Sequence, residues 1–165
     1  SKDFIYSENK EAIDLCNKSR FGEINDNKII YSLVEVMYLF EKKKVLVYDS
    51  ENKRLNNTSL LKKAKKSEYN FNVRYEVFKN LRERGYIVKT ALKFGADFRV
   101  YDKGIKPGED HAKWIVYPLH ETEIMSMYEF SAKNRVAHST RKKLLLAVVD
   151  AEKDVTFWEV NWIRP

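Results

Sequence analysis

The chain has 165 residues, of which 44% are hydrophobic, so it can form one large globular domain or two small ones. No apolar run approaches the ~20 residues that a membrane-spanning helix needs, and the first residues lack the apolar segment of a signal peptide. With 31 Lys and Arg residues against 24 Asp and Glu residues, the net charge is +7, which favours a polyanionic partner such as nucleic acid.

The inventory of reactive residues excludes several kinds of site. A single cysteine, Cys16, excludes an intramolecular disulfide and a cysteine-based zinc site. The three histidines, His111, His120 and His138, lack the spacing of metal ligands, and no glycine-rich phosphate loop or Gly-x-Ser-x-Gly motif is present. We therefore expect an intracellular, cytoplasmic protein without a cofactor, and without a metal ion unless carboxylates bind a hard cation.

An amphipathic helix is the first element that the pattern predicts. Residues 25–27, Asn-Asp-Asn, offer helix caps. Apolar residues then recur at positions i, i+3, i+4 and i+7: Ile30, Leu33, Val34 and Met37. We expect the helix to begin just before this run.

A strand and a basic helix follow in the prediction. Residues 45–48, Val-Leu-Val-Tyr, have the composition of a strand. Thr58 is the expected cap of a short basic helix that ends at Lys66. The polar, lysine-rich residues 62–70 are the best candidate for a domain boundary.

The second half of the chain predicts a sheet with helices. The expected elements are a helix over 73–84, strands over 86–88, 97–101 and 114–117, a helix over 125–138, and strands over 144–149 and 155–163. Strands mixed with helices on either side predict an α/β or α+β C-terminal domain, and for the whole chain we expect an α+β fold. It would consist of a small N-terminal α/β domain, residues 1–70, and a C-terminal domain, residues 71–165, with a mixed β-sheet flanked by helices.

Two titratable residues flank one predicted loop. Tyr101 ends a predicted strand, and His111 lies just before the next one. The loop between them contains the turn residues Gly104, Pro107 and Gly108. A phenol and an imidazole are thus expected at the same end of neighbouring strands.

RNA cleavage without a metal ion needs three functional groups. The ribose 2′-OH must lose a proton, the leaving 5′-oxygen must gain one, and the pentavalent phosphorane needs its added charge stabilised. Histidine suits proton transfer near pH 7, whereas a phenol ionises near pH 10 and needs nearby cations to act as a base. Candidate cations are Arg99, Lys103 and Lys142. On these residues alone, an ordinary packing or surface role is the simpler interpretation of each one.

Three separated motifs resemble the catalytic subunit of archaeal tRNA-splicing endonucleases. They are RGYIVKTALKFGADFRVYDKG (84–104), GEDHAKW (108–114) and RVAHSTRKKLLLAVVDAEKD (135–154). The resemblance covers about residues 75–165, and the segment SLVEVMYLFEKKKVLV (32–47) fits the first domain of the family more weakly. It implies a nuclease-like C-terminal domain and an enzyme that excises introns from precursor tRNA at bulge-helix-bulge junctions.

The resemblance also implies a catalytic triad. Tyr101 matches the general base for the 2′-OH, His111 matches the general acid for the 5′-oxygen, and Lys142 matches the residue that stabilises the phosphorane. The products would be a 2′,3′-cyclic phosphate and a 5′-OH, formed without a metal ion. The alternative is a non-catalytic RNA-binding or structural subunit of the same assembly, which is disfavoured because all three positions are filled.

A base clamp is a further implication of the resemblance. Arg135 matches an arginine that stacks on a flipped intron base. Its companion in the family lies on the last strand, where this chain offers Phe157 or Trp158. An arginine is the commoner residue at that second place, but an aromatic ring can also sandwich a base with Arg135.

An oligomer is the last implication. The acidic turn that contains Asp150, Glu152 and Asp154 resembles a loop that inserts into a neighbouring subunit. Because the substrate has two cleavage sites, two active subunits must be held at a fixed separation. The resemblance therefore implies a homotetramer, or a heterotetramer with a second, structural endonuclease subunit.

Overall fold

The chain folds into two compact units. The computed structural model describes residues 5–91, 95–105, 107–108, 111–163 and 165, so residues 92–94 and 109–110 of the motifs lie outside the described part. The units are Ser1–Asn72 and Val73–Pro165. Of the helices that the structure describes, none is both long and apolar enough to cross a membrane.

The first unit combines a small antiparallel sheet with helices. Its elements in chain order are β1 (Ile5–Ser7), α1 (Lys10–Ser19), β2 (Glu23–Asn25), β3 (Lys28–Tyr31), α2 (Leu33–Glu41) and α3 (Asn57–Ser67). β3 lies between β1 and β2 and pairs with both of them in the antiparallel sense. The mixture of helices and strands expected in this half of the chain is confirmed, although several element boundaries differ.

Helix α2 begins later than the apolar spacing predicts. Ser32 precedes it, and both the backbone amide and the hydroxyl of Ser32 donate to the Glu35 carboxylate at 2.9 Å. This local capping interaction fixes the start of the helix. Ile30 lies in β3, and residues 25–27 end β2 and form its turn to β3, with a positive φ of 52° at Asp26. The expected caps at 25–27 are therefore wrong, because turn and strand formation take these residues.

Helix α3 begins slightly earlier than expected. The side-chain oxygen of Asn56 accepts a hydrogen bond from the backbone amide of Ser59 at 2.9 Å. Asn56 is therefore the N-cap, and the cap expected at Thr58 is wrong by two residues.

Residues 45–48 do not form the expected strand. Tyr48 makes one isolated bridge with Arg54, and the described strands offer this segment no further pairing partner. The amide of Leu55 donates to the carbonyl of Val47 at 2.8 Å, which closes a short hairpin-like turn. High strand propensity is not sufficient here, because β-branched and aromatic side chains stabilise a strand by packing against the side chains of neighbouring strands.

The second unit is a five-stranded mixed sheet with two helices. Helix α4 (Phe71–Glu83) begins at the boundary between the units, and the elements that follow are β4 (Ile87–Thr90), β5 (Phe98–Tyr101), β6 (Trp114–His120), α5 (Met127–Ser139), β7 (Lys143–Val149) and β8 (Val155–Val160). The strand order follows the chain from β4 to β8. Only β6 and β7 are parallel, and α5 connects them. The predicted α+β fold is confirmed, while the last strand ends at Val160 rather than at residue 163.

One helix covers each face of this sheet. The β5–β6 register places Phe98 and Ile115 on opposite faces. Phe98 packs against Phe78 of α4, with ring centroids 6.0 Å apart. Ile115 belongs to a buried cluster with Leu144 of β7 and Ala137 of α5. The core of the unit therefore fills both spaces between sheet and helix, and it holds the strand ends in fixed positions.

Candidate active site

The order of the strands brings three chain segments to one end of the sheet. β5 ends where β6 begins because they are antiparallel, and β7 begins beside β6 because they are parallel. The amide of Lys113 donates to the carbonyl of Val100, and the amide of Lys143 donates to the carbonyl of Lys113, both at 2.9 Å. These bonds tie the three segments together, so the residues next to them in sequence lie at the same end.

Tyr101 is the last residue of β5 and is 5% exposed. Its backbone pairs with Ile87 of β4. Alternation along the strand places its side chain on the same face as that of Arg99, two residues earlier. The phenol is therefore held in a buried position at the end of the sheet, on a strand face that also carries a cation.

His111 lies in the loop between β5 and β6, three residues before β6, and its side chain is exposed. The base of this loop is closed by an ion pair in which Nζ of Lys113 lies 2.6 Å from Oδ2 of Asp102. This hydrogen bond is the main reason why the pKa of Asp102 is lowered and the pKa of Lys113 is raised. The ion pair thus joins the two ends of the loop, and the imidazole of His111 is exposed to solvent.

Lys142 lies in the sharp connection between α5 and β7. Arg141 before it has a left-handed φ of 55°, and the amide of Lys142 donates to the carbonyl of Ala137 at 2.8 Å. Its Nζ donates to the carbonyl of Thr140, also at 2.8 Å. Burial of this half-buried side chain lowers the pKa of Lys142, and the positive charge of Arg99 lowers it further. Because Arg99 acts on it electrostatically, the ammonium group lies near the β5 face described above.

The neighbouring Lys143 has a different environment. Its Nζ lies 2.6 Å from Oε1 of Glu159 on β8, and the other carboxylate oxygen of Glu159 accepts from the indole of Trp114 at 2.8 Å. The hydrogen bond from Lys143 is the main cause of the lowered pKa of Glu159. A carboxylate therefore neutralises Lys143, whereas the ammonium group of Lys142 donates to the carbonyl oxygen of Thr140.

The three predicted triad residues thus lie at one end of the sheet. A phenol, an imidazole and an ammonium group can supply a base, an acid and a charge for an anionic transition state. In the part of the chain that the structure describes, no group of three or more His, Cys, Asp or Glu side chains is arranged to hold a metal ion.

The two candidates for the second clamp residue lie on opposite faces of β8. Arg135 is exposed on α5. Trp158, which is 61% exposed, pairs with Leu146, and Leu146 packs against the cluster beneath α5. Phe157 is half-buried on the other face, where the guanidinium of Arg84 lies 5.6 Å from the centre of its ring. Trp158 therefore shares the α5 side of the sheet with Arg135, whereas Phe157 does not.

A second tryptophan lies near the same helix. The rings of His138 and Trp162 meet edge to face, with centroids 5.2 Å apart, and His138 lies one turn after Arg135 on α5. Trp162 is 54% exposed. Sequence reasoning missed this contact because Trp162 lies beyond the last strand, where no periodic pattern fixes its position.

The acidic turn between β7 and β8 is stabilised by its own hydrogen bonds. The amide of Asp154 donates to Oδ1 of Asp150 at 2.8 Å, and Lys153 has a left-handed φ of 71°. The side chains of Glu152 and Asp154 are exposed. The turn therefore presents two carboxylates to solvent and uses the third to hold its shape.

Family models match both halves of the chain. The model described as "tRNA intron endonuclease, catalytic C-terminal domain" matches residues 71–157. The model described as "tRNA intron endonuclease, N-terminal domain" matches residues 1–61. The matched C-terminal region contains Tyr101, His111 and Lys142.

Several relatives of known name match nearly the whole chain. A tRNA-splicing endonuclease of Pyrococcus abyssi is 40% identical over 165 residues, which cover 99% of this chain and 94% of the relative. A tRNA-splicing endonuclease of Nanoarchaeum equitans is 46% identical over 139 residues, which cover 81% of this chain and 88% of the relative. A tRNA-splicing endonuclease of Methanothermobacter thermautotrophicus is 40% identical over 153 residues, which cover 92% of this chain and 87% of the relative. The chain therefore belongs to the tRNA intron endonuclease family and is an endonuclease.

Proposed function

We propose that the chain is a catalytic tRNA-splicing endonuclease that cleaves precursor tRNA at the bulge-helix-bulge junctions of its intron. Tyr101 takes the proton of the ribose 2′-OH, whose oxygen then attacks the adjacent phosphorus. His111 gives a proton to the 5′-oxygen as its bond to phosphorus breaks. The products are a 2′,3′-cyclic phosphate and a 5′-OH, and water is not consumed.

The observation that carries this proposal is the convergence of three chain segments at one end of the sheet. The buried Tyr101 ends β5, the exposed His111 precedes β6, and Lys142 precedes β7. A base and an acid must act on opposite sides of one phosphate, so a fixed strand end and an accessible loop suit the two roles. All proton transfers of the reaction are assigned to side chains, so the proposed mechanism is independent of metal ions.

Lys142 has the electrostatic role in the proposal. The phosphorane carries one more negative charge than the phosphodiester, and a fixed cation stabilises that charge without reorganisation. Nζ of Lys142 is already oriented by the carbonyl of Thr140, and its side chain is half-buried. A partly desolvated cation interacts more strongly with an anion than an exposed one does.

Arg135 and an aromatic ring form the proposed RNA base clamp. Trp158 is the favoured companion, because it is exposed on the side of the sheet that α5 covers, whereas Phe157 is engaged by Arg84 on the other side. The guanidinium of Arg135 and the indole would hold one flipped base between two flat surfaces.

The proposal includes an assembly. A precursor tRNA has two cleavage sites, so two active subunits act together in a homotetramer, or in a heterotetramer with a structural endonuclease subunit. The acidic turn, with Asp150, Glu152 and Asp154, is the proposed subunit contact. We assign cleavage to a C-terminal domain of residues 71–165, which follows an N-terminal domain of residues 1–70. A cytoplasmic location stays a prediction.

Cleavage of a bulge-helix-bulge RNA in EDTA tests the function. We expect two cuts, with cyclic-phosphate and 5′-OH ends identified by mass spectrometry. The test is run with the chain alone and with candidate partner subunits. No cleavage in either arm would contradict a catalytic subunit, and cleavage that requires added Mg²⁺ would contradict the proposed mechanism.

A modified leaving group separates the acid from the base. An RNA with sulfur in place of the scissile 5′-oxygen needs no proton on its leaving group. His111→Ala should cleave this RNA at close to the wild-type rate, while Tyr101→Phe should remain slow. Rescue of both variants, or of neither, would contradict the assigned roles.

A further inference from the structure

The positive charge of the chain is concentrated in one segment of the first unit. Residues 42–66 contain nine Lys and Arg residues against two Asp and Glu residues, a net charge of +7. The whole chain also has a net charge of +7, so the remaining residues are neutral in sum. The preference for a polyanionic partner that the composition indicates therefore comes from these 25 or so residues, which we call the basic segment.

All nine cations of the basic segment are exposed: Lys42, Lys43, Lys44, Lys53, Arg54, Lys62, Lys63, Lys65 and Lys66. The apolar residues Val47, Leu55, Leu60 and Ala64 are buried beneath them. α3 buries one side and presents its lysines on the other, and it packs against α2. The segment is therefore an ordered part of the unit with a charged outer surface.

The turn and the helix of the basic segment share one surface. Asp49 lies in the turn, where its carboxylate accepts from the amides of Lys53 and Glu51 at 2.9 and 3.0 Å. These hydrogen bonds are the main reason that the pKa of Asp49 is lowered, and the charges of Lys63 and Lys53 contribute. The turn also leads directly into the helix, because Leu55 closes the turn through the carbonyl of Val47 and the next residue, Asn56, caps α3.

This arrangement has an energetic cost in the free protein. Lys62 and Lys66 are four residues apart on α3, a spacing at which like charges destabilise a helix. Among the described residues, no carboxylate lies within ion-pair distance of Lys62, Lys63, Lys65 or Lys66. An anionic partner would relieve this repulsion when it binds.

Apolar side chains are exposed among the cations. Leu46 is 56% exposed and Tyr48 is 51% exposed, and the backbone of Tyr48 forms an isolated β-bridge with the backbone of the exposed Arg54. Rings and basic groups together are typical of surfaces that contact RNA, where the cations meet phosphates and the rings meet bases or riboses. An acidic protein surface would supply neither the regularly spaced charges of a phosphate backbone nor the flat bases that stack on an aromatic ring.

We infer that the basic segment is a second RNA-binding surface, which takes the phosphate backbone of the substrate outside the cleavage site. This inference rests on the proposed function for the identity of the RNA. It assigns the N-terminal unit a share of the binding free energy, whereas the sheet end of the second unit performs the cleavage. Binding through it is governed by counterion release and is therefore salt-dependent.

Salt-dependent binding of paired variants tests the surface. The test variant is Lys62→Gln/Lys66→Gln, and the matched control, Lys10→Gln/Lys18→Gln, removes two exposed lysines from α1 of the same unit. Both are made in a His111→Ala background so that the RNA stays intact. The Kd is measured by fluorescence anisotropy against KCl concentration, with a whole precursor tRNA and with an isolated bulge-helix-bulge stem.

The test variant should lose two phosphate contacts. We expect the slope of log Kd against log salt to fall by about 1.5 and binding at about 0.1 M KCl to weaken roughly tenfold or more, while the control matches the parent. A loss with both RNAs would place the contact on the stem, and a loss with precursor tRNA alone would place it on the tRNA body. The Tm should be unchanged or higher, because a repulsion is removed.

Two outcomes would overturn the inference. Equal slopes for the test variant and the control would show that the basic segment does not bind RNA phosphates. A test variant with unchanged slope and altered mass in light scattering would show that the surface binds a protein subunit instead. Neither result depends on cleavage, so failure of the proposed function is recognised separately by the wild-type assay in EDTA.

Discussion

Asp102 and Lys113 face each other across the base of the loop that carries His111, with Oδ2 and Nζ 2.6 Å apart. The two residues are eleven positions apart in sequence and join the end of β5 to the start of β6. The pair is solvent-accessible, so its main effect is on the loop that it closes rather than on the stability of the fold.

Asp102→Asn should therefore reduce cleavage without unfolding the protein. We expect kcat/KM to fall roughly two- to fivefold, the range of an exposed ion pair, with little change in Tm. The pKa of Asp102 is lowered in the fold. The contribution of the ion pair to holding the loop is therefore complete above the ordinary carboxyl pKa of about 4, and it is lost as the pH falls through the lowered pKa. The difference from the wild type should thus be constant between about pH 5 and 9.

The matched control for this pair is Lys103→Gln. Lys103 lies in the same loop, but its Nζ lies 5.1 Å above the ring of Tyr86 rather than in the ion pair, and its charge is the smallest of the causes of the lowered pKa of Asp102. Its backbone amide donates to Oδ1 of Asp102 at 2.9 Å, a hydrogen bond that glutamine keeps. A loss of 100-fold in Asp102→Asn would assign Asp102 a direct chemical role, and equal losses in both variants would contradict the closing role of the pair.

Tyr101→Phe should separate chemistry from folding. Tyr101 is buried, so phenylalanine keeps its packing and loses only the hydroxyl. We expect the single-turnover rate of RNA cleavage to fall about 10²–10⁴-fold, with RNA affinity retained. The control is Tyr117→Phe, which removes a buried hydroxyl that donates to the carbonyl of Gly95 at 3.2 Å. That variant should lose about 1 kcal/mol of stability and keep its cleavage rate. Wild-type rates in Tyr101→Phe would contradict the base assignment.

Arg99→Gln should shift the alkaline limb of the pH–rate profile. The positive charge of Arg99 helps burial to lower the pKa of Lys142, so its removal raises that pKa. A lysine with a higher pKa keeps its proton to higher pH, and the loss of activity with rising pH should therefore begin at higher pH. Arg141→Gln is the control for general loss of a nearby cation, because the exposed Arg141 does not contribute to the lowered pKa. An unchanged limb in Arg99→Gln, or an equal shift in both variants, would contradict the coupling.

The sequence predicts the sheet of the second unit well and the first unit less well, for physical reasons. Residues 144–149 form a continuous apolar run that only a buried strand accommodates, and β7 lies there. In the first unit, Ile30 matches helical spacing but lies in β3, since the Ser32–Glu35 capping interaction decides where the helix starts. Residues 45–48 have strand propensity, but apart from one isolated bridge at Tyr48 they pair with none of the described strands.

The candidate site also combines features that the sequence shows with contacts that only the fold creates. Tyr101 and His111 are visible in the sequence as two titratable residues that flank one loop, but their expected roles come from the resemblance of the motifs to the family. The ion pair of Asp102 with Lys113, and the action of Arg99 on Lys142, depend on which strands become neighbours. Such contacts leave no local signal, because the partners lie on different strands or at opposite ends of a loop.

Trp158 and Phe157 should respond differently to truncation. Trp158→Ala removes an exposed ring on the side of α5, and we expect kcat/KM for RNA to fall about 5- to 100-fold, the range of one base-stacking contact, with little change in Tm. Phe157→Ala removes a half-buried ring near Arg84, so it should lower the Tm instead. Differential scanning fluorimetry and cleavage assays measure the two effects. The reverse pattern would assign the clamp to Phe157.

Two kinds of variant can test whether the negative charge of the acidic turn or its backbone conformation is needed for the proposed subunit contact. Glu152→Gln/Asp154→Asn neutralises two exposed carboxylates, while the amide of Asp154 still donates to Asp150 at 2.8 Å. This variant should keep its Tm but form smaller species in light scattering, because the proposed contact with a neighbouring subunit loses its charges. Asp150→Ala removes the acceptor that holds the turn and should also cost about 1 kcal/mol of stability. Because the two cleavage sites need two linked subunits, the smaller species should cut a two-site RNA only poorly. An unchanged mass for the charge variant would contradict the contact, and it would leave the turn as a local structure of β7 and β8 alone.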